Sequence, residues 1–202
     1  MSGDFTIVDL LRHGEPEGGQ MFRGSVDDPL SPRGWEQMRA AVGDYREWEA
    51  IVSSPLIRCA AFARELATRL DRPLEIVDDF GEIGFGVWEG RSVAEVHDTD
   101  PRALARFWRE PVAHPIPGGE PVEAFDRRVG RAWDELMWRH HGRHVLLIAH
   151  GGTIRMVLRR LLDMPVRRIW RIEVPFAALS RIRQHHDPEA DPHLVFHNGR
   201  LA

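Results

Sequence analysis

The chain contains no lysine, so all 27 of its basic side chains are arginines. That absence excludes Schiff-base chemistry on a lysine amine. It also excludes the phosphate loops and protein kinases that place a lysine on a nucleotide phosphate. A single cysteine, Cys59, excludes an intramolecular disulfide and suits a reducing compartment. No apolar run approaches the roughly 18 residues of a membrane-spanning helix, and the first residues lack the pattern of a secretion signal. The sequence therefore reads as cytoplasmic, with no membrane partner. Basic charge is not in excess either: 31 acids against 27 arginines leave a formal net charge of −4. A nucleic-acid binder would carry a basic footprint, so none is expected as partner. What is present is a set of planar, permanently charged forks, suited to phosphate and carboxylate. Most of them read as solvated surface.

A chain of 202 residues fits a single domain. Short apolar runs at 6–11, 50–53, 74–77 and 144–149 read as buried strands. Helices are expected from Ser31-Pro32, from Ser54-Pro55, over 122–140 and over 153–162, each with apolar residues at helical spacing. Residues 169–174, 178–183 and 194–197 read as later strands, with His185, His186 and His193 at a polar hairpin tip. The middle differs. Residues 78–91 are irregular and glycine-rich, and 93–98 and 101–109 read as short helices. Strands alternating with helices predict an α/β fold: a three-layer α/β/α sandwich with a mainly parallel central sheet. Residues 82–120 are expected to form a small helical cap insertion within the single domain of residues 1–202.

In such sheets ligands bind outside the carboxyl ends of the strands. Three strand ends carry chemistry there: Arg12-His13-Gly14, Ser53-Ser54-Pro55 with Arg58 one turn on, and His150-Gly151-Gly152. Glycine after each histidine permits close backbone approach to a ligand, and helix N-termini near Ser54 and Gly151 add positive ends. The combination reads as a dianion site. Arg12 and Arg58 would bind phosphoryl oxygens, a protonated His150 would add a donor, and a neutral His13 would attack phosphorus. Arg23, Gly24 and Gly151 are the candidate substrate-binding residues, Arg23 reading equally well as a solvated loop arginine. No metal spacing is present, and neither metal nor cofactor is expected. The leaving oxygen needs a proton from Glu15, Asp78, Asp79, Glu82 or Glu89. Glu82 lies between Phe80 and Ile83, and spacing favours it only slightly over Glu89.

Four segments in order, Leu11-Arg12-His13-Gly14-Glu15, Ser53-Ser54-Pro55-Leu56-Ile57-Arg58-Cys59-Ala60, Glu82-Ile83-Gly84-Phe85-Gly86-Val87-Trp88-Glu89-Gly90 and Ala149-His150-Gly151-Gly152, resemble the histidine phosphatase (phosphoglycerate mutase-like) superfamily. The resemblance implies His13 as the phosphorylated nucleophile, Arg12, Arg58 and His150 as the phosphate pocket, and Glu82 as general acid and base. The stretch from Gly18 to Ser31 is most similar to α-ribazole phosphatase-type enzymes. Gly19 stands where mutases of the family usually carry asparagine, which disfavours a mutase. Pro16 and Pro121 replace hydroxyl residues frequent in the family.

The expected activity is metal-independent hydrolysis of a small-molecule phosphomonoester through phospho-His13, narrowly of α-ribazole 5′-phosphate. The alternatives are a broad-specificity phosphatase and a catalytically idle phosphate-binding module. The seven tryptophans read as core or cap packing, with a substrate-facing surface in the cap as the second reading for Trp88 and Trp108. A homodimer is compatible with the sequence and is not specified by it.

Overall fold

The structure is a computed structural model that describes residues 5–187 and 189–201. Its first strand, β1 (Phe5–Arg12), and the later β4 (His144–Ala149) are almost wholly buried, as expected of strands covered on both faces. Side chains alternate between those faces with the period of two that a pleated strand imposes. Val8 and Leu10, with Val145, Leu147 and Ala149, enter one apolar cluster. Leu11, with Leu146 and Ile148, enters the other. β2 (Ala50–Ser53) and β3 (Leu74–Ile76) continue the parallel sheet, while β5 (Leu179–His185) runs antiparallel to β1 and is itself paired with β6 (His193–Phe196). The order across the sheet is β3-β2-β4-β1-β5-β6.

Helices cover both faces. α1 (Pro32–Val42) and α2 (Ile57–Leu70) bury Met38, Val42, Phe62 and Leu66 on the Leu11 side. α1 starts where the sequence places it, with the Ser31 hydroxyl accepting the Gly34 N–H at 3.0 Å. On the opposite face lie α5 (Val122–Arg139) and α6 (Gly151–Leu161). Between β3 and α5 come two short helices, α3 (Val93–Thr99) and α4 (Pro101–Arg109). Phe85, Trp88, Val96, Leu104, Phe107 and Ile116 of that segment share one cluster with α5 and α6. The expected three-layer sandwich is what forms, around a mixed sheet. No helix of the described residues is long and apolar enough to cross a membrane.

Among the buried polar residues, one carboxylate lies in the core away from the strand ends. Asp9, fully buried on β1, accepts from Trp48 Nε1 at 2.8 Å, from Arg181 at 2.8 and 2.9 Å, and pairs with His144 Nε2 at 2.9 Å. Burial alone would raise its pKa, but the Arg181 and His144 bonds outweigh that and hold it below the usual carboxylate range.

Two expectations fail locally. Residues 169–174 are not a strand. A 3-10 turn, Val166–Arg171, follows Pro165, and the carbonyls of Ile172 and Val174 accept from the side chains of Arg155 and Arg12 instead of a strand neighbour. α2 begins at Ile57 and not at Ser54, because the Ser54 hydroxyl is taken by His150 and the Ile57 N–H is capped by Asp27 at 2.6 Å.

Candidate active site

β1 and β4 are neighbours with Arg12 opposite Ala149, so His13 and His150 emerge side by side. Their rings stand 5.2 Å apart, edge to face. The chain leaves β1 toward α1 on one face of the sheet and leaves β4 into α6 on the other. That divergence opens a crevice at the strand ends. A cavity of about 370 Å³ occupies it, lined by Arg12, His13, Arg58, Glu82 and Arg155 and by the aromatic rings of Phe22, Phe85, Trp108, Trp170 and Phe176. A larger open hollow of about 1070 Å³ lies behind Phe176 and includes neither histidine nor Glu82.

The hydrogen bonding of His13 fixes its tautomer. Its Nδ1 lies 2.7 Å from the carbonyl oxygen of Gly14. A carbonyl can only accept, so Nδ1 carries the hydrogen and the neutral ring keeps its lone pair on Nε2. Burial, then the charges of Arg12 and Arg58, push the imidazole pKa well below its ordinary value, and the ring stays neutral at pH 7. Gly14 is required for a packing reason: a Cβ there would lie 2.1 Å from the Gly34 carbonyl oxygen at the start of α1.

The arginines divide into free and committed groups. Arg12 donates Nη1 to Val174 O at 2.6 Å and lies 4.2 Å above the Phe176 ring, but its buried Nε has no partner among the described residues. Burial draws its pKa to about 10, so it remains charged at neutral pH. Arg58 is fixed on three sides, by Nε to His150 Nδ1 at 3.3 Å, Nη1 to Val26 O at 2.7 Å and Nη2 to Gly24 O at 3.1 Å. Gly24 thus holds Arg58 from behind and is not on the cavity surface. Arg23 is neither solvated nor free. It is buried and donates to Asp28 at 2.9 Å, Gly19 O at 2.7 Å and Glu17 O at 2.5 Å, winding its own loop around the guanidinium.

His150 differs from the sequence expectation of a protonated phosphate ligand. Its Nδ1 accepts from Arg58, which leaves Nε2 as the protonated nitrogen, donating to Ser54 Oγ at 2.6 Å. It is fully buried, and burial, then Arg58 and His13, press its pKa well below the ordinary value. A second buried cation beside Arg58 is too costly, so His150 stays neutral and positions Arg58. Cys59 lies 3.7 Å from His150 Nε2, and burial raises its thiol to about 12, which removes it from nucleophilic chemistry.

Among the candidate acids, only Glu82 lines the cavity. Its carboxylate accepts from Gly152 N at 3.1 Å and Ile83 N at 3.0 Å. A Cβ on Gly152 would stand 2.2 Å from Glu82 Oε1, so any larger residue there displaces the carboxylate. Glu89 is spent elsewhere, accepting from Ser25 N, Ser25 Oγ and Phe85 N at 3.1, 2.6 and 2.9 Å.

Several residues around the cavity are invisible to motif reasoning. Arg128 on α5 clamps the Glu82 loop by donating to the carbonyls of Asp79, Gly81 and Glu82 at 2.8, 2.9 and 2.9 Å, while Glu120 holds it bidentately at 2.7 and 2.8 Å. Phe176 packs against His13 at 5.7 Å. Arg155 lines the cavity, and the only available signal was its place four residues after Gly151, on the same helix face. Trp108 lines the cavity, whereas Trp88 packs in the core against Phe22 and Phe107. Among the described residues no cluster of three His, Cys, Asp or Glu is arranged to hold a metal ion.

Comparison with known proteins identifies the family. A model of the histidine phosphatase superfamily (branch 1) matches residues 8–194. A bifunctional protein of Mycobacterium tuberculosis is 34% identical over 98% of the chain, although the chain spans only 56% of that relative's length. The adenosylcobalamin/α-ribazole phosphatase of Escherichia coli is 28% identical, over 86% of this chain and 87% of that one. A mycobacterial glucosyl-3-phosphoglycerate phosphatase structure superposes with a TM-score of 0.85 at 26% identity, covering 96% of this chain and 99% of that one.

Proposed function

Because the chain belongs to the histidine phosphatase superfamily, we propose that it hydrolyses small-molecule phosphomonoesters through a phosphohistidine on His13, without a metal ion. The observation that carries this reading is the Nδ1–H of His13 held on Gly14 O at 2.7 Å, which leaves Nε2 unprotonated inside a cavity shared with Glu82.

The chemistry runs in two displacements. The Nε2 lone pair forms a bond to phosphorus while the ester P–O bond breaks, and the leaving oxygen takes the Glu82 proton. Water then attacks the phosphohistidine, giving its proton to the Glu82 carboxylate, and the P–N electrons return to Nε2. Inorganic phosphate and the alcohol are the products. Arg12 and Arg58 supply fixed positive charge to the phosphoryl oxygens throughout.

The narrower reading is α-ribazole 5′-phosphate as substrate. The ring of Phe22, within 4.9 Å of Phe85 and 6.0 Å of Trp108, and Trp108 at 4.6 Å from Trp170, give the cavity walls suited to a flat heteroaromatic leaving group. The similarity to the E. coli adenosylcobalamin/α-ribazole phosphatase points the same way. The test is turnover of aryl phosphate in excess EDTA with His13→Ala as control, followed by a panel of phosphomonoesters. Activity that survives EDTA, disappears in His13→Ala and leaves acid-labile phosphate on the wild-type protein after rapid quench is expected. Wild-type rates in His13→Ala overturn the mechanism. A flat substrate panel overturns the narrow reading, and phosphate binding without turnover marks an idle module.

A further inference from the structure

In an in-line displacement the nucleophile and the leaving oxygen lie on opposite sides of phosphorus. His13 defines one side of the reacting centre and Glu82, the proton donor, defines the other. Glu82 sits over the start of α6, held by Gly152 N at 3.1 Å. One turn further along α6 is Arg155. Its Nη1 lies 2.9 Å from the point a Cβ on Gly151 would occupy, and Arg12 Nε lies 3.4 Å from the same point. Three charged groups therefore converge over Gly151 and Gly152.

Arg155, like Arg12, is lightly held. Its one hydrogen bond among the described residues is Nε to Ile172 O at 2.8 Å, which aims the guanidinium and leaves both terminal nitrogens available. Trp170, 5.7 Å from its Cζ, places it on the aromatic side of the cavity, where the leaving group would lie. Burial draws its pKa down, against the field of Glu82 and Glu173, so its charge is kept at a cost. The Ile172–Val174 strip explains how two arginines from different elements come to point together. Alternate carbonyls of extended backbone face one way, and those of Ile172 and Val174 receive Arg155 and Arg12.

Resting on the phosphatase reading above, we infer that Arg155 is a catalytic residue whose terminal N–H groups hold the leaving oxygen as the P–O bond breaks. As the bond electrons move onto that oxygen, Glu82 gives it a proton and Arg155 stabilises the charge not yet neutralised. Its contribution must grow as the leaving group becomes poorer.

The experiment is a leaving-group series, from 4-nitrophenyl through phenyl to an alkyl phosphate, with wild type, Arg155→Gln and Arg155→Lys. In Arg155→Gln, kcat/KM is expected to fall about 10-fold for 4-nitrophenyl phosphate and about 10³-fold for the alkyl ester, within the range for loss of one oxyanion donor. The dependence on leaving-group basicity steepens accordingly. Arg155→Lys keeps the charge but loses the Ile172 bond, and is expected to keep the wild-type slope. An equal loss across the series in Arg155→Gln overturns the inference, because a phosphoryl ligand or a purely structural residue would not alter the slope. A steepened slope in Arg155→Lys equal to that of Arg155→Gln overturns it too, since charge would then not matter. If wild type turns over none of these esters, the phosphatase reading itself has failed, a separate result.

Discussion

Replacing Gly152 by alanine tests the site through a single methyl group. The new Cβ would lie 2.2 Å from Glu82 Oε1 and 3.1 Å from Glu82 Cδ, with Phe125 Cε1 at 3.4 Å. Glu82 is the mobile party, so its carboxylate must retreat by about 1 Å to reach ordinary contact, while the helix backbone stays in place. A misplacement of about 1 Å at a reacting group costs on the order of 10²-fold, or about 2.7 kcal/mol of barrier. Alanine is also the better helix former, so the fold loses little or gains up to about 1 kcal/mol. The expected result is an enzyme as stable as wild type by urea denaturation, with kcat/KM for an alkyl phosphate down about 100-fold. The assay includes Glu82→Gln and the double variant. If Gly152→Ala acts only through Glu82, it adds almost nothing in the Glu82→Gln background. A full 100-fold loss in both backgrounds, or wild-type rates in the single variant, would refute the assignment of Glu82.

Two further outcomes concern stability. His13 and His150 both have folded-state pKa values well below the usual 6.5, burial being the main cause. The unfolded chain gains protons as pH falls through about 6.5 while the folded chain does not, so stability is intact above that pH and declines below it, by roughly 2 kcal/mol for the pair between pH 6.5 and 5.5. Equal urea midpoints at pH 7.5 and 5.5 would contradict this. Asp9→Ala leaves Arg181, His144 and the Trp48 N–H without their buried partner, and is expected to cost about 3–5 kcal/mol in the same measurement. A change below about 1 kcal/mol would show that the cluster relaxes on its own.

The strand ends were legible in the sequence because β1 and β4 are continuous apolar runs that stop at Arg12-His13 and at His150. Glu82 was only weakly legible. Its rival Glu89 is disqualified by contacts with Ser25 from a distant loop, and spacing along the chain carries no record of those. The same limit explains Arg23, whose partners Glu17, Gly19 and Asp28 are local but become specific only once the loop is wound. The false strand at 169–174 follows from its Ile-Trp-Arg-Ile-Glu-Val alternation, which has the right period. What overrides it is a demand for carbonyl acceptors by two partly buried arginines, a tertiary requirement that no local window contains. The complete burial of His150 was illegible for a related reason: a histidine in a motif shows its chemistry but not its depth.

The position of β1 in the sheet also governs how the molecule is made. β1 lies between β4 and β5, and its Asp9 is 135 residues from His144 and 172 from Arg181. At roughly 5–20 residues per second, a ribosome needs about 7–27 s to supply β4 after β1 has been made. During that interval an apolar strand has no native neighbour, and such long-range pairing is slow even once the partner arrives. The crevice, built on the same two strands and closed by the segment around Phe176, cannot exist on a nascent chain until β4 and α6 have left the exit tunnel. Arg12 and His13 are thus synthesised before the rest of the crevice and become functional only once it is complete.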